Sequence, residues 1–118
     1  MNRTLALTAV ALLALSLAAR GAMPSGYAER VALAIYHAEG GKRARVPYGI
    51  LSVKVKDEAE ARSVCLRTIR HCWRDWEAAG RPDDFLEALA RRYAPIGSAN
   101  DPRNLNRNWL QNVRKLMK

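Results

Sequence analysis

Residues that build metal sites and disulfides are scarce in this sequence. The 118 residues include two cysteines and two histidines, and no Cys-x-x-Cys pair occurs. Zinc sites and similar centres need several such ligands at close spacing, so the sequence predicts no metal site and no cofactor. Cys65 and Cys72 lie in one predicted helix, in which seven residues span roughly 10 Å. A disulfide needs Cα atoms within about 7 Å, so a bridge would require a break in that helix. The alternative is two buried free thiols.

Acidic residues are also few in comparison with basic ones. The chain has 20 Lys and Arg against 11 Asp and Glu, which gives a formal net charge of +9. A surplus of this size favours an anionic partner, such as a cell wall, a membrane surface, a polysaccharide or a nucleic acid. Charge alone does not choose among these partners, and it is the only feature that supports a nucleic acid.

The first 19 residues have the composition of a secretory signal peptide. Arg3 precedes an uncharged apolar run from Leu5 to Ala19, which ends in small residues suited to cleavage. The alternatives are an uncleaved N-terminal anchor and a buried first helix, although the run is short against the roughly 20 residues of a spanning helix. We therefore expect an exported protein, periplasmic or extracellular, that binds no nucleic acid and touches a membrane only through an uncleaved leader.

After the leader, the sequence predicts a linker at 20–26 and one small domain at 27–118. Apolar residues recur at helical spacing in about four stretches, separated by glycine, proline and polar segments. The predicted fold class is therefore mostly α. Between the first two helices, residues 40–56 predict an irregular loop or a short extended segment.

Helix boundaries are indicated by capping residues. Ser25 is the expected N-cap of the first helix, and Asp83 is the expected N-cap of the third helix. Asp57, Glu58 and Glu60 crowd the first turn of the second helix, where the helix dipole favours negative charge.

A lone acid, Glu39, ends the first predicted helix in the segment "YHAEGGKRARVPYGILSV". An ionised carboxylate at a helix C-terminus meets the negative end of the helix dipole, and apolar neighbours such as Ile35, Tyr48 and Ile50 would desolvate it. Both effects raise the pKa of Glu39. An acid that keeps its proton near neutral pH is what cleavage of a glycosidic bond requires. The alternative is a structural glutamate that ends a helix before two glycines.

The pair "AEGG" and "PYGILSV" resembles the lysozyme-like superfamily, in which a helix ends in the catalytic glutamate and a glycine-containing turn follows. The later segments "CLRTIRHCWRDWEAAGRPDDFLEALARRYAP" and "NDPRNLNRNWLQNV" resemble small exported bacterial and phage-related proteins of that superfamily. The resemblance covers about residues 27–115. Gly40 stands where lytic transglycosylases carry a serine after the glutamate, and Leu51-Ser52 replaces their Met-Gln.

The resemblance implies a small lysozyme-like domain that cleaves the β-1,4 glycan of peptidoglycan, with Glu39 as general acid and then base. A hydrolase usually needs a second carboxylate, and Asp57, Glu58 and Asp101 are the candidates, each with a structural alternative at a helix start or in a turn. Lytic transglycosylases need one acid, because the substrate's N-acetyl group and 6-hydroxyl complete the reaction. A lytic transglycosylase is therefore favoured over a hydrolase. The alternative function is a non-catalytic peptidoglycan-binding or structural module of a secretion or phage apparatus.

The predicted contacts to the glycan strand are Tyr48, Gly49, Tyr93 and Asn100. The resemblance implies a tyrosine near the glutamate, for which Tyr93 is the match by order, while Gly49 would leave room for a sugar behind Tyr48 and Asn100 could bind acetamido or hydroxyl groups. Each has a structural alternative: Tyr93 as a core aromatic, and Asn100, like the asparagines that follow it, as a cap of the last helix. The three tryptophans could stack on sugars, although aromatic residues at helical spacing are more often core. These are Trp73, Trp76 and Trp109.

Overall fold

A computed structural model describes residues 22–51, 53–99, 101 and 103–118. The predicted leader at 1–19, the start of the linker and Asn100 lie outside the described residues. Within these residues four α-helices follow one another: α1 (Tyr27–Ala38), α2 (Glu58–Ala78), α3 (Phe85–Tyr93) and α4 (Trp109–Leu116). Short 3-10 turns occur at Gly41–Arg43, Pro47–Gly49 and Leu105–Asn108. The prediction of a mostly α domain with four helices is confirmed, and the part of the chain that the structure describes contains no strand.

The core lies between the four helices. Helix α1 contacts both α2 and α4, and α3 packs against the same two helices. Each helix contributes aliphatic or thiol side chains that are fully withdrawn from solvent, as the helical recurrence of apolar residues predicts. These are Val31 and Ile35 of α1, Cys65 and Ile69 of α2, Leu89 of α3 and Val113 of α4.

Helix α2 begins with an N-cap whose first turn is also tied to the preceding residue. Asp57 accepts a hydrogen bond from the backbone N–H of Glu60 (2.8 Å), and the carboxylate of Glu60 accepts one from the backbone N–H of Lys56 (3.4 Å). The first bond satisfies an N–H group that the helix itself leaves without a partner. The predicted crowding of acids in this first turn is confirmed.

The other two predicted caps are wrong. Helix α1 is preceded by Gly26 in the left-handed conformation (φ 76°), so Ser25 does not occupy the N-cap position. Helix α3 is preceded by Asp84, which makes no side-chain cap. Asp83 instead pairs its carboxylate with Arg91 (2.8 Å), and its carbonyl accepts the indole N–H of Trp76. Tertiary contacts outweigh the local capping preference in this turn.

Cys65 and Cys72 are free and buried on the core side of α2, which runs without a break through both. Burial raises the pKa of the Cys65 thiol to about 11, so this side chain behaves as a small apolar residue. Among the described residues, no group of three or more His, Cys, Asp or Glu side chains converges as a metal site. No described helix is long and apolar enough to cross a membrane.

Candidate active-site cleft

A cleft of about 550 Å³ opens beside the C-terminal end of α1. Its walls come from the loop at 45–51, the outer side of α2, the end of α3 with the segment that follows it, and the turn before α4. The volume is within the range of small-molecule sites in proteins. The walls combine polar and apolar side chains, and Glu39 is the only carboxylate among the described residues that line the cleft.

Glu39 is the first residue after α1, and its backbone N–H still donates to the carbonyl of Ile35 (2.9 Å). The last helical hydrogen bond therefore fixes its Cα, while the carboxylate reaches into the cleft. Oε1 accepts a hydrogen bond from the indole N–H of Trp109 (3.1 Å). Burial raises the pKa of Glu39, and the Trp109 hydrogen bond opposes part of this rise because it favours the ionised form.

Gly49 makes room for the carboxylate. A Cβ atom at this position would lie 2.5 Å from Cδ of Glu39 and 2.6 Å from its Oε2, well inside van der Waals contact. The backbone at Gly49 also has a φ of 66°, in the left-handed region that glycine adopts without cost. Both facts explain why a glycine follows Tyr48.

Tyr48 adopts a left-handed conformation itself (φ 60°), which is unfavourable for a residue with a Cβ atom. The hydroxyl of Tyr93 donates a short hydrogen bond to the Tyr48 carbonyl. The ring of Tyr93 stacks on Trp109, with ring centroids 5.4 Å apart and an interplanar angle of 25°. Glu39, Trp109, Tyr93 and the Tyr48–Gly49 peptide therefore form a continuous set of contacts around one carboxylate.

The acids considered as a second carboxylate all have structural partners. Asp57 caps α2, and Glu58 lies in the first turn of α2, where the helix dipole favours an acid; burial and, after it, the nearby Glu58 carboxylate raise the pKa of Tyr36. Asp101 is 5% exposed and accepts hydrogen bonds from the backbone N–H groups of Leu105 (2.7 Å), Asn106 (3.2 Å) and Gly97 (3.4 Å). The structure thus supports the structural alternative for each of these acids.

The four residues predicted to contact the glycan have different positions. Gly49 and Tyr93 line the cleft together with Glu39. Tyr48 is 5% exposed, and its ring packs on Tyr36 with centroids 5.1 Å apart, so the Tyr48 backbone rather than the ring faces Tyr93. Asn100 lies outside the described residues.

Asn104 precedes the Leu105–Asn108 turn and Asn108 precedes α4, and neither caps through its side chain. Asp101 performs this role instead, because its carboxylate accepts from the N–H groups at the start of the Leu105–Asn108 turn. Asn106 is therefore available to line the cleft, and its amide group donates to the carbonyl of Pro95 (3.0 Å).

The tryptophans divide between core and site. Trp73 and Trp76 form an aromatic cluster with Tyr27 and Phe85, which is the core alternative. Trp109 is 5% exposed and also belongs to the core, yet its indole nitrogen reaches Glu39 across 70 residues of sequence. Sequence reasoning missed this hydrogen bond, and no local pattern could have indicated it.

Two arginines border the cleft, and they differ in whether a carboxylate pairs with them. Arg92 is held by Asp75 through a hydrogen-bonded ion pair of 2.6 Å. Arg45 lines the cleft from the loop after α1, and the described residues offer it no carboxylate within ion-pair distance. The cleft therefore combines one acid of raised pKa with positive charge at its rim.

Comparisons with protein-family models, with curated proteins and with solved structures found no match to this chain. Interpretation of the cleft therefore depends on its own residues.

Proposed function

We propose that this protein is a peptidoglycan-cleaving enzyme that acts on the β-1,4 bond between N-acetylmuramic acid and N-acetylglucosamine. The observation that carries the proposal is the position of Glu39, the single carboxylate among the described cleft-lining residues, with a pKa raised by burial. A general acid in such a reaction must hold a proton near neutral pH and reach the leaving oxygen from a cleft wall.

In the proposed reaction, protonated Glu39 gives its proton to the glycosidic oxygen as the bond to C1 of the muramic acid breaks. The substrate's N-acetyl group stabilises the positive charge that develops at C1. The carboxylate of Glu39 then removes the proton from the 6-hydroxyl, whose oxygen attacks C1 and closes a 1,6-anhydro ring. Glu39 returns to its protonated state, so one acid completes the cycle without a second carboxylate.

Two features of the site support a reaction in which Glu39 first donates a proton and then accepts one. Oε1 of Glu39 is engaged by Trp109, while Oε2 has no hydrogen-bond donor among the described residues and is free to carry the proton. Gly49 keeps a side chain away from the same carboxylate, so the approach to the proton is not blocked. A lytic transglycosylase is favoured over a hydrolase, because the acids that could activate water have structural partners.

A non-catalytic peptidoglycan-binding module is the second candidate function. It is favoured by the Trp109 hydrogen bond, which stabilises the ionised form of Glu39 and so opposes proton donation. In this case the cleft would bind glycan without turnover, and the carboxylate would serve as a hydrogen-bond acceptor.

The test is digestion of purified peptidoglycan, with the products identified by mass spectrometry. Wild type should release anhydromuramyl products, and Glu39→Gln should lower the rate about 10²- to 10⁴-fold, the usual contribution of a general acid–base group. Glu29→Gln is the matched control, since Glu29 is an exposed glutamate of the same helix. Reducing ends in place of anhydro products would make the enzyme a hydrolase. Retained wall binding with no products from wild type would support the binding module.

A further inference from the structure

Of the six large apolar side chains that are exposed in the described residues, three belong to residues that line the cleft or directly adjoin lining residues in sequence. Leu51 is 60% exposed, Ile96 67% and Leu105 56%. Leu51 lines the cleft, and the other two are sequence neighbours of the lining residues Pro95 and Asn106. We call the described residues of 40–56 and 95–108 the loop face.

The two segments of the loop face are held at one site. The side chain of Asn106 donates to the carbonyl of Pro95, which brings the start and the end of the second segment together. Asp101 reinforces this closure by accepting from the N–H groups of Gly97 and Leu105. Since Leu51 lines the same cleft as Pro95 and Asn106, the two segments that carry these exposed aliphatic residues meet at one opening.

The loop face is also strongly cationic. Residues 40–56 contain five Lys and Arg and no Asp or Glu, and the second segment adds two arginines and one acid, the buried Asp101. None of the seven cations forms an ion pair with a described residue, whereas the helices carry both paired arginines, such as Arg70, Arg91 and Arg114, and arginines without a described ion pair, such as Arg62 and Arg67. The seven are Lys42, Arg43, Arg45, Lys54, Lys56, Arg103 and Arg107.

This combination indicates the kind of partner. A protein interface is enriched in aromatic residues and depleted of lysine, but the loop face carries three lysines, and its aromatic residue Tyr48 is buried. An anionic polysaccharide would use the cations and gain nothing from exposed aliphatic side chains. Aliphatic residues surrounded by Lys and Arg match the acyl boundary and the anionic headgroups of a lipid bilayer.

We propose that the loop face docks onto an anionic lipid bilayer, with Leu51, Ile96 and Leu105 entering the interface and the surrounding Lys and Arg contacting headgroups. This contact is separate from any contact made by the leader. It does not require the chemistry of Glu39. One consequence rests on the proposed function: the glycan strands available to the cleft are then those that lie at the membrane surface.

The test uses the full chain with a single fluorescent label that reports a dry environment. Cys65 and Cys72 are buried, so an introduced exposed cysteine reacts selectively with a nitrobenzoxadiazole reagent. Leu51→Cys and Ile96→Cys place the label on the loop face. Leu33→Cys is the matched control, because Leu33 is an equally exposed leucine (57%) on α1. Vesicles contain phosphatidylcholine with or without phosphatidylglycerol.

We expect the emission at positions 51 and 96 to shift to shorter wavelength with the phosphatidylglycerol vesicles, and the label at position 33 to stay unchanged. The same shift should occur in a Glu39→Gln background, so that failure of the catalytic proposal leaves this result intact. Attachment through the leader alone would leave all three labels unchanged. Three unchanged labels would overturn the proposal. Equal shifts at all three positions, or equal shifts with and without phosphatidylglycerol, would also overturn it.

Charge variants provide a second measurement. Lys42→Gln and Lys54→Gln should each weaken partitioning onto phosphatidylglycerol vesicles about fivefold, the usual effect of one cation at an anionic surface. Arg67→Gln removes the same charge from α2 and should have a smaller effect. Equal effects at the three positions would overturn the proposal. So would binding to soluble hyaluronate with no label shift on vesicles, which would assign the face to a polysaccharide.

Discussion

The end of α1 and the loop before α4 each hold one carboxylate away from solvent, and the two carboxylates differ in the number of hydrogen bonds that they accept. Both oxygens of Asp101 accept backbone hydrogen bonds, from three N–H groups. Glu39 has one donor among the described residues, Trp109, on one oxygen. A buried carboxylate whose two oxygens both accept hydrogen bonds stabilises the surrounding backbone. A buried carboxylate with an oxygen that accepts none keeps a raised pKa, and that oxygen can interact with a substrate.

The largest expected effect is on Asp101. Asp101→Ala leaves the N–H groups of Gly97, Leu105 and Asn106 without their acceptor, and we expect the free energy of unfolding to fall by about 3 kcal/mol. Chemical denaturation measures this change. Glu39→Gln serves as the comparison and should cost less than about 1 kcal/mol. Equal losses of stability in Asp101→Ala and Glu39→Gln would contradict the proposed difference between the two carboxylates.

Gly49→Ala should be next in size. Its Cβ would collide with the Glu39 carboxylate, and alanine in the left-handed region costs about 1–2 kcal/mol. We expect both a loss of stability and displacement of the carboxylate from its site. In a Glu39→Ala background the collision is absent, so the cost of Gly49→Ala should shrink to the backbone penalty. A double-mutant cycle by denaturation measures the coupling, and a coupling of zero would show that the close contact has no energetic weight.

The pH dependence of stability follows from the raised pKa of Glu39. Because the native state binds this proton more tightly than the unfolded chain, the contribution of Glu39 is fully present below its ordinary pKa of 4.5 and is lost as pH rises through the native value. The Glu39→Gln variant has no carboxyl group to titrate at this position, so it does not lose this stability as the pH rises. Its stability relative to wild type should therefore increase as pH is raised from about 4 to 8, measured by thermal unfolding across that series. Glu29→Gln, on the same helix but outside the cleft, is the control.

Trp109→Phe should lower the free energy of unfolding by about 1–2 kcal/mol, since the aromatic ring is retained. The variant removes the indole N–H that favours the ionised form of Glu39, so the pKa of Glu39 should rise further. Carboxyl-carbon NMR titration reports the value directly. Trp73→Phe, in the separate aromatic cluster, is the control. A Glu39 pKa that stays constant or falls in Trp109→Phe would contradict the assigned role of the hydrogen bond.

The sequence predicts much of the helical framework, because helical recurrence and the acids at the start of α2 are local signals. The wrong caps at Ser25 and Asp83 have a common cause. Several polar residues near each helix start compete for one position, and the winner depends on tertiary partners such as Arg91. The cap before α4 shows the same limit, since Asp101 takes the role that the asparagines could fill.

By itself, the sequence determined that α1 ends at an acid followed by glycines, that this acid is next to apolar residues, and that positive charge crowds residues 40–56. These are properties of neighbours in the chain. Only the tertiary structure decided that Trp109 binds Glu39, that Tyr93 holds the Tyr48 carbonyl, and that Gly49 packs on the carboxylate. Such contacts depend on how the helices pack, and the burial that raises the pKa of Glu39 is a property of that packing.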